Sequence, residues 1–158
     1  HGCSIATWNT LISAFMATGR TELVSHCFEK VLKEKQIHQN EVTFLMILNG
    51  CSHAGLVEKG KEVFMAMCKD YRVKPMIEHY NCMIDLFGRA GQLDRMATMV
   101  EETSLNSSVV MWLAVLAACR RYANIEIGRQ AFEQVTQLDK KGASAYICMY
   151  NIYADADM

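Results

Sequence analysis

The sequence predicts an all-α fold, a right-handed α-α superhelix (solenoid) of stacked helical hairpins, and three observations carry that prediction. One proline and nine glycines in 158 residues leave little turn chemistry for a β domain, while Ala, Leu, Met, Glu and Lys are plentiful. Aromatic-led segments recur along the whole chain: W8-N-T-L-I-S-A-F, F44-L-M-I-L-N-G-C, Y80-N-C-M-I-D-L-F, W112-L-A-V-L-A-A-C and Y146-I-C-M-Y-N-I-Y, at spacings of 36, 36, 32 and 34 residues. Periods of this length mark arrays of helical pairs. Columns persist beyond the aromatic as well. Seven positions on stand Phe15, Cys51, Phe87, Cys119 and Tyr153, and eleven on stand Gly19, Gly55, Gly91 and Ala123.

Those columns justify each element in turn. First helices are expected near 5–17, 41–53, 77–89, 109–121 and 143–155, each but the last closed by the Gly or Ala, since glycine takes a left-handed C-cap without steric cost. Second helices are expected near 21–35, 57–71, 93–104 and 125–138. They open at Thr21, Val57, Leu93 and Ile125 and continue their apolar stripe at Phe28, Phe64, Val100 and Phe132. One hairpin cannot bury both of its faces, so successive hairpins share a core, and no linker interrupts the array.

Composition narrows the function classes. At 51% hydrophobic and 21% charged residues the chain is too apolar for a disordered tail, and its length suits one domain or a short array. Sixteen Lys plus Arg against seventeen Asp plus Glu give a net charge of −1, which removes the basic surplus behind nonspecific polyanion binding. Any nucleic-acid contact would be local and specific. Seven cysteines, without a C-x-x-C pair, are expected to be free, mostly buried thiols. The longest apolar run, Val109 to Cys119, falls short of the roughly 18 residues a membrane span requires. The chain opens at His1 with nothing like a signal or transit peptide, as expected of a processed chain or an excised fragment.

The W-x-x-L-G-x-x-Y helix of tetratricopeptide repeats does not occur, and the unequal periods point elsewhere. The stretches T7-W-N-T-L-I, E41-V-T-F-L-M-I-L-N-G-C-S-H-A-G-L-V-E-K-G, E78-H-Y-N-C-M-I-D-L-F-G-R-A-G-Q-L-D and M111-W-L-A-V-L-A-A-C-R-R-Y-A-N-I-E-I-G strongly resemble pentatricopeptide repeat proteins of the plant PLS subfamily. By that resemblance 1–4 is a remnant, 5–40 a P-type repeat, 41–76 an L-type, 77–108 an S-type, 109–142 a first E motif and 143–158 part of a second. The resemblance implies an organellar RNA-editing factor in a mitochondrion or chloroplast. Repeats of such a factor read single-stranded RNA, and its E motifs position a DYW-type deaminase domain in cis or in trans, together with other editing-complex proteins. No cofactor, metal or membrane partner is expected. A zinc deaminase needs H-x-E and C-x-x-C, and these residues contain neither, so no catalytic residue is assigned. Departures from the family pattern are Ala123 for Gly, Met96 for Ala in the S-type second helix, and Ser107-Ser108 for Pro-Asp.

In the family each base is read by the residue after the aromatic together with the last residue of the repeat. Carried over, the reading pairs are Asn9 with Asn40 and Asn81 with Ser108, which implies pyrimidines, while Leu45 with Met76 is a non-standard pair. An Asn amide offers a donor or an acceptor to an exposed Watson–Crick edge, and Leu and Met offer neither. Ala6, Val42 and Glu78 occupy the positions that sandwich bases. Leu113 and Ile147 stand at the corresponding reader positions of the E motifs, where apolar side chains have nothing to hydrogen-bond.

Other residues receive structural expectations. His26, His38, His53 and His79 lack a second ligand at metal spacing, and Cys51 and Cys119 share a packing column with Phe15 and Phe87. Lys59, Lys61, Lys69, Arg72 and Lys74 are expected to form a basic, solvated face on the second helix of the L-type repeat, with phosphate contact as the alternative. The last helix, crowded with Tyr146, Ile147, Met149, Tyr150, Ile152 and Tyr153, is expected to lie unpaired and to drive a homodimer through 143–158. Two rival functions stay open: a helical-repeat scaffold that binds only protein, and an enzyme with an unrecognised site.

Overall fold

The structure is a computed structural model that describes residues 4–34, 38–103 and 108–156. Among the described residues the elements are nine α-helices: α1 (Ile5–Ala17), α2 (Thr21–Lys33), α3 (Glu41–Ala54), α4 (Val57–Lys69), α5 (Ile77–Arg89), α6 (Leu93–Glu102), α7 (Val109–Arg121), α8 (Ile125–Leu138) and α9 (Ser144–Asp155). They form two compact units, His1–Leu86 and Phe87–Met158. In the first, α1 pairs with α2, α3 with α4, and α3 also packs on α1 and α2. In the second, α7 pairs with α8 and both carry α6 and α9. Each unit is thus a stack of helical hairpins, as the aromatic columns predict.

A repeated backbone motif makes the tight turn inside each hairpin. Gly19, Gly55 and Gly91 have φ of 71°, 69° and 73°, and Ala123 takes the same left-handed state at 52°. In each case the N–H after this residue reaches back five positions: Arg20 to Phe15 C=O, Leu56 to Cys51, Gln92 to Phe87 and Asn124 to Cys119, all at 2.9 Å. This is the Schellman arrangement, which satisfies carbonyls that the helix end orphans. The two sequence columns are therefore its two key positions, the acceptor and the left-handed residue.

Second helices end earlier than the periodicity suggests, α2 at Lys33 and α4 at Lys69 instead of 35 and 71. Groups from the segments that follow take over their final carbonyls. Gln39 Nε2 donates to Val31 C=O at 2.9 Å. After α4, Arg72 is left-handed at φ 53° and Val73 N–H returns to Met67 C=O, which sets Tyr71 edge-on against Phe44 with ring centroids 5.1 Å apart. Core side chains include Phe28, Phe44, Ile47 and Met67 in the first unit and Trp112, Leu116, Ala131 and Ile152 in the second. Gly60 lets α4 approach α5 of the next hairpin: a Cβ there would stand 2.5 Å from Leu86 Cδ2. Met96, the departure in α6, is buried and packs where Gly88 leaves room, 3.3 Å from an added Cβ.

The last helix has no second helix of its own hairpin among the described residues, but it is more covered than its apolar content suggests: α9 is docked on α7 and α8, burying Ala145, Met149 and Ile152. Tyr153 is half-buried and held by Arg129, whose Nε donates to its hydroxyl at 2.7 Å while the guanidinium lies over the ring. Tyr146 meets Phe132 edge-on at 5.1 Å. Only one side, with Tyr146, Ile147 and Tyr150, stays exposed. Against the preceding hairpin the i, i+4, i+7 face of α9 covers itself.

Candidate nucleic-acid interface

The predicted site residues fall at the starts of first helices, either within them or as the residue directly before, so the geometry there decides what they can do. The aromatic faces inward in the first four: Trp8, Phe44 and Trp112 are buried and Tyr80 is half-buried against Phe64, whereas Tyr146 stays exposed. A helix advances 100° per residue, so the next side chain swings away from the core. Asn9 and Asn81 are exposed there, and among the described residues neither amide has a side-chain hydrogen bond. Leu45 and Leu113 in the same register are half-buried, and Ile147 is exposed. Ala6, Val42 and Glu78 are exposed, with Ala6 lining a shallow open groove along α1 with Thr7, Thr10, Leu11 and Ala14.

The last residue of each repeat has a task that the sequence reading missed. Asn40 is the N-cap of α3, its Oδ1 accepting the N–H groups of Val42 and Thr43, both at 3.1 Å. Ser108 caps α7, its Oγ accepting Met111 N–H at 3.4 Å, and Ser4 caps α1 in the same way through Thr7 N–H at 3.2 Å. Side-chain oxygens at this position satisfy donors that the first turn leaves free. The signal was present as Ser or Asn directly before an apolar-periodic segment. Capping fixes the Asn40 amide with its oxygen toward the helix, so only its NH₂ can face a base, and the flipping available to Asn9 and Asn81 is closed to it. Ser107, which precedes one of these caps, lies outside the described residues, as do His1, Gly2 and Cys3.

Met76 has no oxygen to give, and α5 is capped from inside instead. His79 Nδ1 accepts Met76 N–H at 2.9 Å, while its Nε2 lies 2.8 Å from Glu41 C=O. The ring is fully buried. Among these residues the structure brings together Asn40 with Val42, and Glu41 with Met76 through His79. Among the described residues no hydrogen bond joins Asn9 to Asn40 or Leu45 to Met76. Asn81 lies in the first unit and Ser108 in the second.

The expected basic face is corrected. Arg72 and Lys74 follow the end of α4 rather than lying on it, and Lys59 is largely covered, held by Glu29 at 3.2 Å and Glu62 at 3.9 Å. The Lys59 hydrogen bond, then its charge, holds the Glu29 carboxyl below its usual range. Lys61 pairs with Glu58 at 3.2 Å. Lys69, Arg72 and Lys74 remain exposed. His26, His38 and His53 are exposed, and His53 Nδ1 donates back to Asn49 C=O at 2.9 Å.

Cysteines behave as packing residues. Cys27, Cys51, Cys68, Cys82, Cys119 and Cys148 are free, and burial pushes the Cys51 thiol up to about 12 and those of Cys82 and Cys119 to about 11. Raised thiols of this kind are poor nucleophiles at neutral pH. No metal-binding group of three His, Cys, Asp or Glu occurs among the described residues, and no helix there is long and apolar enough to cross a membrane.

Fold and register together define a tandem helical-hairpin repeat protein. The Pentatricopeptide repeat domain family matches residues 2–54 and 32–90, and the PPR repeat family matches 78–103. The chain belongs to the pentatricopeptide repeat family. Three Arabidopsis thaliana relatives bound its likeness. Pentatricopeptide repeat-containing protein CRR2, chloroplastic, is 38% identical over the whole chain, which covers 24% of that protein. Pentatricopeptide repeat-containing protein At1g06140, mitochondrial, is 35% identical over 98% of the chain and 28% of the relative. Pentatricopeptide repeat-containing protein At5g66520 is 40% identical over 96% of the chain and 24% of the relative. The chain therefore spans about a quarter of the length of these curated relatives.

Proposed function

We propose that this chain is a non-catalytic segment of an organellar C-to-U RNA-editing factor, reading single-stranded RNA and positioning a DYW-type deaminase domain supplied in cis or in trans. In this reading 5–40, 41–76 and 77–108 are P-, L- and S-type repeats, 109–142 is the first E motif, and 143–158 is part of the second. Asn9 with Asn40 and Asn81 with Ser108 read pyrimidines, Ala6, Val42 and Glu78 flank the bases, and Leu45 with Met76 leaves one base unread. The names of relatives supply the compartment, mitochondrion or chloroplast.

One observation carries the proposal: Asn9 and Asn81 stand uncommitted and exposed directly after inward-facing aromatics, at matching register on two first helices of one unit. The negative net charge agrees with selective rather than nonspecific contact. The test is a base-substituted RNA panel bound by the full natural array. Exchanging Asn9→Thr with Asn40→Asp shifts the preference at one nucleotide toward guanine, and Asp keeps the α3 cap, so folding does not confound the result. An unchanged preference at that nucleotide defeats the register. Retained protein partners with no RNA binding at all would favour the scaffold reading.

Self-association belongs to the same proposal in a narrower form. Tyr146, Ile147 and Tyr150, at 56%, 60% and 71% exposure, are the surface through which two copies of this chain associate. Light scattering over a concentration series checks it, and a dimer indifferent to Tyr150→Ser and Ile147→Ser removes it.

A further inference from the structure

His79 is the one fully buried histidine among the described residues, and its two ring nitrogens serve two different repeats. Met76 N–H is only a donor, so Nδ1 must present its lone pair. Glu41 C=O is only an acceptor, so Nε2 must carry the proton. A single neutral tautomer satisfies both. The first bond is local and caps α5 three residues upstream; the second crosses 38 residues to the first turn of α3.

The places it joins are the ones proposed to meet RNA. Glu41 sits between Asn40 and Val42, Met76 ends the L-type repeat, and Glu78 and Asn81 flank His79 on α5. The side chain is a strut of fixed length between the opening turns of two successive first helices. Backbone positions next to both of its ends carry the reading and sandwiching side chains.

We infer that His79 is a positioning residue that sets the spacing between the Val42 and Asn81 sites and so keeps Asn81 in register with its base. This rests on the base-reading proposal above. His79 itself has no exposed surface and does not touch RNA. An array that reads one base per repeat must hold successive readers at a constant step, and a loose first turn would let the reader miss its base edge. A hydrogen bond between buried groups at this point holds the step without presenting a competing donor to the ligand.

Two variants separate the two bonds. His79→Asn keeps an acceptor near the Nδ1 position for Met76 N–H but cannot reach Glu41, whereas His79→Gln places an amide N–H near the Nε2 position. In the full natural array, discrimination at the nucleotide opposite Asn81 is expected to fall about 2- to 10-fold in His79→Asn and to be largely restored in His79→Gln, as the loss of one modest hydrogen bond implies. Discrimination opposite Asn9 stays unchanged in both. A merely structural role would instead lower affinity equally at every position, or follow melting temperature without regard to which bond is kept, and either result overturns the inference. ¹⁵N spectra of the parent must show the Nε2-protonated tautomer; the other tautomer also overturns it. If the parent shows no base preference opposite either Asn9 or Asn81, the reading proposal fails and takes this inference with it. If both preferences exist and His79→Asn leaves the second intact, the inference fails alone.

Discussion

Helices α7 and α9 open two successive hairpins of the second unit in the same register, yet their cores differ. Trp112 and Leu116 are buried at 1% and 0%, while the residues in the same columns of α9, Tyr146 and Tyr150, are 56% and 71% exposed. Both helices are apolar, and both place a bulky residue at each position. The difference is the neighbour: α7 packs against α6, α8 and α9, whereas α9 packs against α7 and α8 among the described residues. Apolar periodicity thus says which faces are able to pack, and the number of adjoining hairpins decides how many of them do.

Truncation tests this most directly. Leu116→Ala should cost about 2–5 kcal/mol, because a fully packed site cannot collapse around the void, while Tyr150→Ala should cost no more than about 0.5 kcal/mol. Chemical denaturation of the two variants gives the ratio. Similar losses at both would mean that Tyr150 is covered in solution.

Alkaline titration gives the next effect. Burial lifts the Cys119 thiol on α7 from its ordinary 9.0 to about 11. Between these values the unfolded chain releases the proton and the folded chain keeps it. Stability is therefore whole below pH 9.0 and falls as pH rises toward about 11, by an amount on the order of 2 kcal/mol. Cys119→Ala should lessen the slope in that window, where Cys51 and Cys82 keep their own share, and an unaltered slope would contradict the assignment.

Smaller effects come from the ends of the two helices. Ser108 caps α7 with its side chain, whereas Ala143 before α9 has no cap. Ser108→Ala should lower the melting free energy by about 0.5–1 kcal/mol, and Ala143→Asp should raise it by about 0.5 kcal/mol. At the other end of α7, Ala123 is held at φ 52°, so Ala123→Gly relieves left-handed strain at some cost in unfolded-chain entropy, for a net gain of about 0.5 kcal/mol. Thermal melts resolve each change. A loss on Ala123→Gly would show that the strain is not there.

Much of this fold was legible because its signals are local. The Gly19, Gly55, Gly91 and Ala123 column is a backbone requirement written in residue type, and it located the hairpin turns that the structure shows. Asn9 and Asn81 were legible as outward positions because helical rotation follows from their place beside the aromatic. What escaped depends on residues far apart in sequence. Lys59 reads as a free cation until Glu29, thirty residues earlier, is found beside it.

The same division holds for the candidate site. Residue order alone determined the all-α class and the repeat period, because these rest on spacing and composition. Only the tertiary structure decided that Asn40 spends its oxygen on a cap, that His79 ties Glu41 to Met76, and that half of α9 is covered. A hydrogen bond between repeats exists only once stacking has brought its partners within 3 Å, and no local preference in the chain encodes that distance.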